Sequence, residues 1–171
     1  RPRERRVGFR WHMDMIVFKD RSEEGSKYCI VLTDEASGYY QAIPLYWKSD
    51  ATHELERWIR KMRGHPALQD LGYQAIGMIV TDNDSVWSEE HEKFTSMIER
   101  VGGLEVDWVS PEDHARENAR AEGANKIIEA GIQCLLYEKN LPPSWWQRAC
   151  NDVVFLANRL PVKSLDATNP S

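Results

Sequence analysis

The chain has 171 residues, 42% of them hydrophobic and 29% charged, which suits one domain of ordinary size with a substantial core. No apolar run approaches the roughly 20 residues of a bilayer span and no signal-type start is present, so the sequence as given is expected to be neither secreted nor membrane-spanning. The net charge of −5 excludes a domain that grips nucleic acid by charge alone, and any such contact has to be local, metal-assisted or shared with other segments.

The opening Arg1-Pro2-Arg3-Glu4-Arg5-Arg6 reads as the end of a basic linker, either a solvated tail or a phosphate-contacting arm, on a chain that starts without Met as a fragment does. Residues 7–18 are apolar and β-compatible. After the polar break 19–26, a second strand runs over Lys27–Thr33, and turn residues Asp34–Gly38 lead to a third over Tyr39–Tyr46. Leu55, Trp58, Ile59 and Met62 recur at helical spacing, with Ser49 or Asp50 as N-cap and Gly64 beyond the end. Ala75–Val80 reads as a short buried strand. Phe94, Met97, Ile98 and Val101 mark a helix capped by Ser88 and stopped by Gly102-Gly103, and Leu104–Val109 supplies a fifth strand. Pro111–Arg116 is a polar loop, good helix formers fill Glu117–Tyr137, and Pro142-Pro143-Ser144 opens a last helix. Trp58 and Trp146 fall on the apolar stripes of their helices, so packing accounts for them without stacked bases. Cys29, Cys134 and Cys150 have no metal-type spacing and read as structural thiols of a reducing compartment.

This order predicts an α/β domain over residues 7–161, with 162–171 as a tail or linker. Its five-stranded mixed sheet, three antiparallel strands and then two parallel, is flanked by helices in the order of the ribonuclease H-like fold. The first strand is then central with the fourth beside it, which makes neighbours of Asp14 and Asp82. A carboxylate within an apolar strand such as Trp11–Phe18 costs several kcal/mol unless paired or metal-bound. Asp14, Asp82 and Glu122 are therefore the candidate metal and catalytic residues.

Thr81-Asp82-Asn83 after an apolar strand resembles the second-aspartate motif of retroviral and retrotransposon integrases. Asn118-Ala119-Arg120-Ala121-Glu122-Gly123-Ala124-Asn125 resembles the Asn-Gly-x-Ala-Glu-Arg-x-Asn motif of copia-type LTR retrotransposons. The segments Leu141–Ala149 and Val154–Pro161 are similar to the Trp-Trp and Asn-Arg-x-Pro helix of the same group. The departures are Asp84 where the family has Gly, Ala119 and Gly123 within the glutamate motif, and a longer stretch between the last two acids. Glu117 lies nearer the family spacing and is the alternative third acid.

The resemblance implies a polynucleotidyl transferase core that processes 3′ ends of element cDNA and joins them to target DNA. Two Mg²⁺ or Mn²⁺ ions would be held by the three acids, with Asp14 bridging both. Arg116, Arg120, Asn125 and Lys126 are the candidate DNA contacts, and His114 in the polar loop a possible assistant. The resemblance also implies a homo-oligomer, an upstream zinc-binding domain, a downstream DNA-binding domain, and an intracellular site of action that is nuclear when host DNA is the target. A decayed, non-catalytic DNA- or protein-binding domain and a nuclease of the same fold are the alternatives.

Overall fold

The computed structural model describes residues 2–82, 91–109 and 119–160, with the backbone alone for 119–122. Three antiparallel strands come first: β1 (Arg10–Val17), β2 (Tyr28–Asp34) and β3 (Tyr40–Leu45). A short 3-10 turn, Lys48–Asp50, leads into helix α1 (Ala51–Arg63), which has Asp50 at its N-cap and Gly64 at its C-cap. Strand β4 (Met78–Asp82) follows, then α3 (His91–Val101) and β5 (Glu105–Val109); the four-residue α2 (Pro66–Gln69) lies between α1 and β4. Helices α4 (Ala119–Glu138) and α5 (Trp146–Ala157) complete the domain, the latter entered through a 3-10 turn at Pro143–Trp145. The strand order is β3-β2-β1-β4-β5, with β4 parallel to both β1 and β5. This is the mixed five-stranded sheet of the ribonuclease H-like fold, with β1 at its centre.

Strand alternation sorts β1 between two cores. Trp11 and Met13 point to one face, where they pack with α1 and α3 through Leu55, Ile59, Phe94 and Met97. Ile16 points to the other and packs with Cys29, Val31, Ile128, Ile132 and Trp146 beneath α4 and α5. Trp58 meets Trp11 edge-on at 5.0 Å, and Trp146 stacks on Phe18 at 3.7 Å while its indole N–H donates to the Asp20 carbonyl at 2.9 Å. Both tryptophans are core residues.

The element boundaries moved for physical reasons. The fourth strand begins at Met78 rather than Ala75 because Ile76 has φ of 52°, a left-handed conformation incompatible with a strand. Gly77 follows with the Phe9 ring pressed against it, leaving no room for a side chain: a Cβ there would lie 2.1 Å from a ring carbon. The short α2 was not expected; Pro66 sits in its first turn and the His65 ring accepts from the Ala67 N–H at 3.2 Å. The expected cap Ser88 and the polar loop Pro111–Arg116 lie outside the described residues.

Candidate active site

β1 and β4 are paired from Arg10 with Met78 to His12 with Val80. The pairing ends there, and Asp14 of β1 and Asp82 of β4 each lie two residues beyond it on adjacent strands. Both side chains leave the sheet on the face that α4 covers: Asp14 shares its side of β1 with Ile16, and Asp82 lies opposite the buried Thr81 and Ile79 in the alternation of β4. Each is half-buried. The two carboxylates stand on adjacent strands because a parallel crossover returned the chain to the side of the central strand.

Asp14 is held at both oxygens. The Met15 N–H donates to Oδ1 at 2.7 Å, and the Asn125 side-chain amide of α4 donates to Oδ2. The other end of the Asn125 amide, Oδ1, is buried and has no hydrogen-bond partner among the described residues. An orphaned buried carbonyl oxygen costs free energy unless something polar meets it. Carboxylate and amide oxygens are the ligand types a hard divalent cation prefers, so Asp14, Asp82 and Asn125 are residues that could hold Mg²⁺ or Mn²⁺. Among the described residues no three His, Cys, Asp or Glu side chains converge in metal-binding range, so the described portion of the site is the aspartate pair with Asn125.

Glu122 lies within α4, three residues before Asn125. Its side chain, with that of Arg120, and the whole of Asp84, His114, Arg116 and Glu117 are outside the described residues. Lys126 is exposed on α4. Asn125, expected among the DNA contacts, has its amide nitrogen engaged by Asp14.

Sequence reading missed two features of the same face. Asp107 of β5 sits opposite Val80 in the register and, by alternation against Val106 and Trp108 in the first core, faces the side of the aspartates; the alternating Glu105–Val109 pattern could have shown it. The other is a buried polar group. His12, 6% exposed, lies on the Asp14 face with its Nε2 2.8 Å from Glu35 Oε2. Glu35 also accepts from the Glu4 N–H at 2.9 Å and pairs with Arg10 at 3.4 Å. Burial pushes the Glu35 carboxyl up, but the His12 hydrogen bond, the Glu4 N–H and the charges of His12 and Arg10 outweigh it and hold the group at about 2. Near the start of the chain, Arg6 pairs with Glu4 at 2.8 Å and lies 3.5 Å over the Phe9 ring. Its guanidinium is thus engaged within the domain.

Among the described residues no helix is long and apolar enough to cross a membrane. No family model and no curated protein matches the chain. Among solved structures it resembles a chain of the simian T-cell lymphotropic virus intasome, determined in complex with the PP2A regulatory subunit B56 gamma. The TM-score is 0.69 at 20% identity, over 94% of this chain and 52% of that one. The present chain thus spans about half of that chain's length, and the likeness is one of fold, that of a ribonuclease H-like α/β domain.

Proposed function

We propose that this chain is the catalytic core of a copia-type integrase, cutting the 3′ ends of element cDNA and joining them to target DNA. The single observation that supports it most is that Asp14 and Asp82 stand on adjacent parallel strands, each two residues past the last β1–β4 pair, while α4 reaches Asp14 through Asn125. A strand-borne carboxylate pair with a helix crossing above it is the arrangement in-line phosphoryl transfer requires, because charge builds on both the entering and the leaving oxygen. Two bound Mg²⁺ ions would supply the compensating charge at those oxygens. Asp14, Asp82 and Glu122, the last one turn before Asn125 in α4, would hold the ions. Asn125 keeps the Asp14 carboxylate turned toward the shared position. Arg116, Arg120 and Lys126 would meet phosphates, which orient the substrate without reading its sequence.

In this reading the partners are element and target DNA, a second copy of the chain, and zinc-binding and DNA-binding domains on either side of it. Its action on host DNA is nuclear. The test is a strand-transfer assay with an oligonucleotide end and plasmid target, run on protein carrying those flanking segments. Asp14→Asn, Asp82→Asn and Glu122→Gln should each abolish joining, and Glu117→Gln should leave it nearly intact. Retained joining in either aspartate variant would defeat the proposal, whereas loss with Glu117→Gln and not Glu122→Gln would transfer the third role to Glu117.

A further inference from the structure

The pairing of β1 with β4 ends at His12 and Val80, and the two aspartates follow two residues later. His12 is therefore the branch point from which the strands proceed to the site, and whatever fixes it fixes how far apart Asp14 and Asp82 stand. His12 is fixed from the opposite side, by β2. Glu35, immediately after that strand, accepts the His12 Nε2–H at 2.8 Å, and its own backbone N–H donates to the Arg10 carbonyl at 2.9 Å. The side chains of His12 and Glu35 are 7% and 8% exposed. Replacing such a buried polar pair with apolar groups is often neutral or stabilising, so stability alone is a weak account of it; setting the register of elements is the best-attested use.

We propose that Glu35, acting through His12, is a positioning residue for the metal site: it holds the β1–β4 branch point so that Asp14 and Asp82 keep the separation a divalent cation needs. This rests on the reading of the two aspartates as metal ligands. Its effect is transmitted through the backbone of β1 between His12 and Asp14. Arg10 and the Glu4 N–H hold the Glu35 carboxylate in turn, so the lock extends to the start of the chain.

The experiment is a Mn²⁺ titration of this chain, reading free Mn²⁺ by electron paramagnetic resonance, with thermal melts in parallel. Glu35→Ala should weaken Mn²⁺ binding by about tenfold or more, the usual effect of losing an outer-shell partner. Glu35→Gln keeps an oxygen that accepts from His12 and should bind close to wild type. If Glu35→Ala does not fold, Glu35→Asp, one methylene too short to reach His12, takes its place with the same expected loss. A folded Glu35→Ala or Glu35→Asp protein with wild-type Mn²⁺ affinity would overturn this inference alone. A wild-type chain that takes up no Mn²⁺ would overturn it together with the metal-site reading beneath it.

Discussion

At the scale of single residues, Asn125 shows how one amide can serve a carboxylate site. Its nitrogen satisfies Asp14 and its oxygen is left buried without a partner among the described residues, an arrangement that costs stability in the absence of a ligand. Truncation removes the orphan together with the useful bond, so its effects on folding partly cancel. Asn125→Ala should therefore shift the melting free energy by no more than about 1 kcal/mol, while joining activity falls about 10- to 100-fold as it does when other outer-shell partners are removed. A melt and a joining assay on one preparation check both. A large loss of stability with unchanged activity would make Asn125 a packing residue.

At the scale of elements, the sequence made the strands and the long helices legible, because periodicity is a local signal. Asp14 could be recognised from its neighbours Met13 and Met15, and Trp58 and Trp146 from helical spacing. What was not legible depends on contacts distant in sequence. Nothing near Arg63 reveals that its guanidinium, at the end of α1, gathers the carbonyls of Ala75, Ile76, Val101, Gly102 and Gly103 at 2.7 to 3.2 Å. That one side chain ties α1 to the entry of β4 and the exit of α3, and so anchors the strand that carries Asp82. Burial draws its affinity for the proton down, with the charge of Arg60 adding to the effect, yet a guanidinium stays charged. Arg63→Ala leaves several carbonyls without a donor and should cost at least about 2 kcal/mol in denaturant unfolding. Arg63→Lys, with a single ammonium, should recover part of that loss; an alanine variant as stable as wild type would show that water replaces the guanidinium fully. The His12–Glu35 pair was hidden for the same reason, since Glu35 reads in sequence as a turn residue and meets β1 only after the chain reverses.

At the scale of the whole molecule, the sheet order brings two distant segments together at one end of the central strand, and helix α4 closes over them. The fold puts the two aspartates on adjacent strands; in the proposed reading, oxygen ligation of a cation offsets the repulsion between them. Phosphoryl transfer as the purpose of that arrangement is the central claim, and the metal is its most direct test. Crystals of the chain soaked in Mn²⁺ and measured for anomalous scattering should show a peak between the Asp14 and Asp82 carboxylates, about 2.0 to 2.6 Å from an oxygen of each. Asp14→Asn crystals treated identically should lose it. Crystals that diffract well and show no Mn²⁺ between the two carboxylates, or hold it equally well in the Asp14→Asn protein, would contradict the account.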